Sequence, residues 1–85
     1  MSLGYRYTVD EGGCELLHRL PRRKRERLLV VFRHLAALPF TRGDHQGADA
    51  RGLPLEVALF EEKFVVTWHV DHAGKQVRIV ELEGV

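Results

Sequence analysis

The chain has 85 residues, 45% of them hydrophobic and 29% charged, enough for one domain (residues 1–85) with a modest core. No apolar run approaches the roughly 20 residues of a membrane span, and no signal-peptide pattern opens the chain. A single cysteine, Cys14, cannot form an internal disulfide, so a cytoplasmic protein is expected. The formal net charge is only +1, yet seven of the thirteen Lys and Arg residues fall between Arg19 and Arg33, while Glu81 and Glu83 stand near the other end. Such a split suits a cationic face for nucleic acid or for an acidic protein, and equally a solvated helix face.

In chain order, Tyr5, Tyr7 and Val9 alternate with Arg6 and Thr8, which predicts a short strand. Asp10 is placed to N-cap a short helix reaching about Leu20, with Gly12 and Gly13 weakening its first turn. Pro21 then precedes a second helix over Arg22 to Leu38, where Leu28, Val31, Phe32, Leu35 and Leu38 form an apolar stripe and Pro39 ends the run. Its first turn carries four cations, Arg22, Arg23, Lys24 and Arg25, against the helix dipole, at about 0.3–1 kcal/mol each. Phe40 to Pro54 has three glycines and few large apolar groups, and reads as a long, functional loop. Leu55–Phe60 and Lys63–Val70 predict a hairpin across Glu61-Glu62, and after a turn at Gly74 the segment Gln76–Leu82 predicts the last strand.

On the Lys63–Val70 strand, Phe64, Val66, Trp68 and Val70 share one face and should pack under the long helix. Val65, Thr67, His69 and Asp71 share the other, which should be the open side of an antiparallel sheet. That layering defines an α+β fold: an N-terminal strand, a helical hairpin, then a three-stranded antiparallel meander, with the helices on one face of the sheet. Trp68 belongs to the core by its phase, and Cys14 reads as a buried, unreactive thiol.

Candidate chemistry lies at the end of the same strand. His69, Asp71 and His72 supply imidazole and carboxylate groups, and His69 on the open face suits proton transfer or phosphate contact. Too few ligands are evident for a metal, and no cofactor is expected. Arg51, Lys63, Lys75 and Arg78 can add positive charge; alternatively Arg78 forms an ion pair with Glu81, Glu56 or Asp71. Asp44, His45 and Asp49 are expected in turn-forming and capping roles.

The N-terminal aromatic strand, the Leu20-Pro21 break before a basic helix, Leu35-x-x-Leu38-Pro39, the Gly-rich loop, Phe64-x-Val66-x-Trp68-x-Val70-Asp71 and Val77-Arg78-Ile79-Val80 together resemble the RelE/ParE toxin superfamily over nearly the whole chain. The resemblance implies the toxin of a type II toxin–antitoxin system, with a cognate antitoxin as partner, the ribosome or mRNA as target, and metal-independent mRNA endoribonuclease activity as a further expectation. Members of the RNA-cleaving branch use basic residues on the open sheet face to stabilise the negative charge that builds as a 2′-hydroxyl attacks phosphorus. Applied to this chain, catalysis is assigned to His69 and Arg78, and nucleic-acid or partner binding to Arg22, Arg23, Lys24, Arg25, Arg51 and Lys75. Self-association through Val65 and Thr67 is a further expectation. Two departures stand against that assignment. Val65 occupies the place of the family's catalytic arginine, and the chain ends at Val85 ahead of the family's C-terminal Arg, His or Tyr segment. They favour the alternative of a non-enzymatic ParE-like inhibitor, or a degenerate toxin acting only as a protein-binding module.

Overall fold

A computed structural model describes residues 4–84. The element order is β1 (Arg6–Val9), α1 (Glu11–Arg19), α2 (Arg22–Ala37), β2 (His45–Ala48), β3 (Pro54–Phe60), β4 (Phe64–Asp71) and β5 (Gln76–Gly84). The strands form a five-stranded sheet in the order β1-β5-β4-β3-β2. The expected meander is present as β3, β4 and β5, antiparallel throughout. The sheet as a whole is mixed rather than antiparallel, because β1 lies parallel to β5, from Arg6 opposite Gln76 to Val9 opposite Ile79. A parallel pair cannot be closed by a tight turn, and here both helices and the other strands intervene between its members.

Alternation on β4 places Phe64, Val66 and Trp68 in the core, where they meet Leu28, Phe32 and Leu35 of α2 and Val77, Ile79 and Leu82 of β5. Trp68 is only 1% exposed. The spacing of Ile79 and Leu82 breaks the two-residue period of a strand. A bulge restores it: Trp68 faces Ile79 but Thr67 faces Glu81, so Val80 is the extra residue and Leu82 returns to the core side. On the first helix, Gly13 permits close approach to the sheet, since a Cβ there would lie 2.7 Å from Val9 Cγ1.

Two boundaries differ from expectation. α2 ends at Ala37, and Leu38 has φ −125° and ψ 68°, outside the helical region, as the residue before a proline prefers. Leu38 is therefore 52% exposed and leaves the stripe, while Ala36 is buried in the helix's last turn. The second difference is β2, inside the segment expected to be loop. His45 to Ala48 pairs with β3 although all four residues are exposed and none is a large apolar one. Side chains fix this edge: Asp44 Oδ2 accepts the Leu59 N–H at 3.1 Å, and Glu56 Oε1 accepts the Gln46 amide at 3.0 Å. Backbone contact is close as well, because a Cβ on Gly43 would lie 2.5 Å from the Val57 carbonyl oxygen.

The β3–β4 turn falls at Glu61-Glu62 as predicted. Both residues have left-handed backbones, φ 53° and 58°, and the Lys63 N–H donates to the Phe60 carbonyl at 3.1 Å. That geometry matches the twist of the flanking strands but strains a residue with a Cβ. Among the described residues no helix is long and apolar enough to cross a membrane.

Candidate nucleic-acid interface

His69 lies at the end of β4 on the open side, and its Nδ1 sits 2.7 Å from the Pro54 carbonyl oxygen. A carbonyl can only accept, so Nδ1 carries the proton and Nε2 is the acceptor of the neutral ring. His72 turns elsewhere: its Nδ1 is 2.7 Å from the Tyr5 hydroxyl, and its ring stacks on Phe40 with centroids 4.8 Å apart and planes 15° from parallel. Asp71 is taken up by the turn, where Oδ1 accepts the Gly74 N–H at 3.0 Å. Each of the three groups thus has its own partner. Among the described residues no set of three or more His, Cys, Asp or Glu side chains is gathered as a metal site would need.

His69 and Arg78 stand directly opposite each other on β4 and β5. Their side chains are drawn apart. Arg78 Nη2 reaches Asp10 Oδ2 at 3.0 Å, on the β1 side, whereas His69 is bonded to β3. The partner of Arg78 is therefore Asp10, and neither Glu81, Glu56 nor Asp71. The parallel placement of β1 beside β5 brings Asp10 there, although it is distant in sequence. Asp10 does hold the N-cap position of α1, but its side chain makes no cap hydrogen bond. Cys14 is half-buried, and its thiol donates to the Val9 carbonyl at 3.4 Å.

Around His69 and His72 a cleft of about 370 Å³ opens between residues 39–42 and the ends of β3 and β4. Its floor is organised by Glu56, whose side chain is 14% exposed. Glu56 Oε1 accepts from the Gly43 N–H at 2.7 Å, the Gln46 amide at 3.0 Å and Arg42 Nε at 3.2 Å. Burial acts to raise this carboxyl's pKa, but those three donors outweigh it and hold the group below its ordinary value. At the cleft mouth Phe40 is 70% exposed. Sequence reasoning assigned no role to Phe40 or Tyr5; a large aromatic side chain opening an otherwise polar loop was the available signal.

The predicted binding residues divide between the two ends of the molecule. Arg22, Arg23 and Lys24 are exposed and Arg25 partly so, with Arg22 Nε 3.0 Å from Glu26 Oε1. Arg27 lies 3.7 Å from Glu61, so α2 starts beside the β3–β4 turn. It finishes at the cleft, about 24 Å of helix away for its 16 residues. The basic cluster and His69 are therefore not brought together. Arg51 and Lys75 do belong to the cleft end. Arg51 follows Asp49, whose Oδ1 accepts the Leu53 and Arg51 N–H groups at 2.9 and 2.8 Å. The Leu53 N–H is the largest cause of a lowered Asp49 pKa, with Arg51 and His69 as smaller electrostatic causes. Lys75, with φ 52°, lies in the β4–β5 turn, and its carbonyl accepts the Arg6 N–H at 3.0 Å.

At the opposite end of β4, Val65 pairs with Glu83 and Thr67 with Glu81. This row of the open face thus sets Val65 and Thr67 against two glutamates. Val85 lies outside the described residues.

A helical hairpin on one face of a mixed five-stranded sheet, the other face open, is the arrangement defined by these elements. No family model matches the chain, and neither does any curated protein. Solved structures do match. One is a RelE toxin from the toxin–antitoxin complex RelBE2 of Mycobacterium tuberculosis, with a TM-score of 0.77 and 16% identity over 95% of this chain and 98% of that one. Another comes from the archaeal RelE–RelB complex of Pyrococcus horikoshii OT3, with a TM-score of 0.74 and 22% identity over 94% of this chain and 93% of that one. The chain has a RelE-like fold.

Proposed function

We propose that this protein is the toxin of a type II toxin–antitoxin pair, acting in the cytoplasm on RNA or the ribosome and held in check by a cognate antitoxin. The observation that carries this reading is the match to RelE toxins over nearly the full length of both chains. An RNA target is supported at one end of the sheet, where Arg42, ion-paired with Glu56, lines the cleft with two histidines. The cations Arg6, Arg51 and Lys75 lie on the strand and turns beside it, next to Asp49 and Asp71. For the antitoxin, the open face offers Val57, Leu59 and Val65, none of them fully buried, to the apolar side of an amphipathic segment. The cations Arg22 to Arg25 suit an acidic stretch of such a segment.

In the endoribonuclease form of the reading, His69 Nε2 takes the proton from the attacking 2′-hydroxyl and Arg78 neutralises the developing charge on phosphorus. The P–O5′ bond breaks to leave a 2′,3′-cyclic phosphate and a 5′-hydroxyl that takes its proton from water. Arg78 would first have to leave Asp10. A second reading rests on that same ion pair, on the divergence of His69 from Arg78 and on Glu83 beside Val65: the domain binds its target or antitoxin without cutting RNA.

Induced expression with mapping of mRNA ends separates the two. Growth arrest with ribosome-dependent cuts that His69→Ala and Arg78→Ala both abolish establishes the nuclease. Arrest without cuts establishes the binding-only inhibitor. Absence of arrest at good soluble expression removes the toxin assignment.

A further inference from the structure

We infer that the Phe40–His72 stack at the cleft mouth is a seat for one unpaired nucleobase of single-stranded RNA. Phe40 is 70% exposed, more than any other large hydrophobic side chain of the described surface, though exposure of a single apolar side chain is ordinary in itself. Here it is also held in place. Pro39 before it is buried, and both the backbone N–H and the Oγ1 of Thr41 donate to the Leu38 carbonyl, at 3.0 and 2.7 Å. Arg42 is in turn tied to Glu56 at 3.2 Å. Behind the ring, His72 lies nearly parallel to it at 4.8 Å and is itself fixed by the Tyr5 hydroxyl at 2.7 Å. The result is a platform whose order is established before any ligand arrives, which lowers the entropic cost of binding. A base stacking on Phe40 would extend the column from His72, and base–aromatic stacking tolerates any sequence.

The ordered aromatic ring together with the cations Arg6 and Lys75 favours a nucleic acid over an apolar protein segment as the occupant, with Arg42 contributing less because Glu56 already pairs it. Arg6 and Lys75 are exposed at this same end of the sheet, and the Arg42 side chain is 71% exposed despite its bond to Glu56. Cations around an aromatic platform are what a stacked base with its two flanking phosphates requires. This inference deepens the RNA reading above and presupposes it.

The test is equilibrium binding of a short fluorescein-labelled single-stranded RNA, free and as ribosome-bound message, to the wild type and to Phe40→Ala, Phe40→Leu and Phe40→Tyr. Because Phe40 is exposed, these variants fold. Phe40→Ala and Phe40→Leu should each weaken binding roughly 5- to 150-fold, with Phe40→Tyr near wild type and the same RNA as a duplex indifferent to all three. Wild-type binding that Phe40→Ala leaves unchanged overturns the seat but keeps the RNA target. Binding lost in Phe40→Ala but kept in Phe40→Leu overturns stacking and leaves only an apolar contact with the RNA. Failure of the wild type to bind RNA in either form removes the target itself.

Discussion

The two ends of β4 differ in kind. At the Val65 end, the open face sets Val65 opposite Glu83 and Thr67 opposite Glu81, next to a turn made of two further glutamates. At the His69–His72 end, two imidazoles and an exposed phenylalanine share a cleft with Arg42 and Glu56, and Arg51, Lys75, Asp49 and Asp71 lie in the adjoining strand ends and turns. Both ends carry cations, since α2 brings Arg27 to within 3.7 Å of Glu61 and the exposed Arg22, Arg23 and Lys24 to the glutamate end. What sets the second end apart is its exposed aromatic ring and its two imidazoles. A fold shared at low identity can keep its sheet and move its charge, because the core face fixes the architecture and the open face is left to vary.

The comparison is broken most forcefully at Glu56. Glu56→Ala leaves the Gly43 N–H and the Arg42 and Gln46 donors without their acceptor, and should cost about 2–3 kcal/mol in urea unfolding with an unchanged m-value. The cleft end should loosen and the Val65 end should not, which amide exchange along β2 against β5 can read. Acid should act through the same group. The pKa of Glu56 is lowered in the folded state, so its contribution is complete above the unfolded value near 4.5 and is lost as pH falls through the folded value. Unfolding followed below pH 4.5 should accordingly be steeper for the wild type than for Glu56→Gln.

Electrostatic substitutions sharpen the contrast. Arg42→Gln or Lys75→Gln should weaken RNA binding and reduce its salt slope by about one, whereas Glu83→Gln should leave the slope unchanged. Val65→Arg places a cation opposite Glu83, and no new mRNA cuts should appear while that partner is present. A smaller effect belongs to the Val65 end. Glu62→Gly relieves a left-handed residue and should stabilise the fold by about 0.5–1 kcal/mol, visible as a raised denaturation midpoint. Smallest is Arg22→Gln, which removes an exposed i,i+4 pair and should change stability by only about 0.3–0.5 kcal/mol.

Much of the fold was legible because it is written in local periodicity. The alternation of Phe64, Val66 and Trp68, the stripe of Leu28, Phe32 and Leu35, and the prolines at 21 and 39 each act within a turn or two of chain, and each placed its element. Leu38 shows the limit: its spacing fits the stripe, but the proline after it turns its backbone away. β2 carried no periodic signal, since His45-Gln46-Gly47-Ala48 pairs through backbone groups and depends on Glu56 and Asp44 for its anchorage. The place of His69 on the open face was legible from its phase on β4, but the direction of its imidazole was not.

By itself, then, the sequence determined which residues face the core, where the chain turns, and a RelE-like α+β architecture. Tertiary structure alone decided that β1 lies parallel to β5, that Arg78 goes to Asp10 instead of His69, that Val80 bulges, and that Phe40, His72 and Tyr5 meet across the whole length of the chain. The physical reason is range. Burial patterns are set by each segment's own backbone period, whereas a side chain's partner depends on which distant segment the sheet order places beside it.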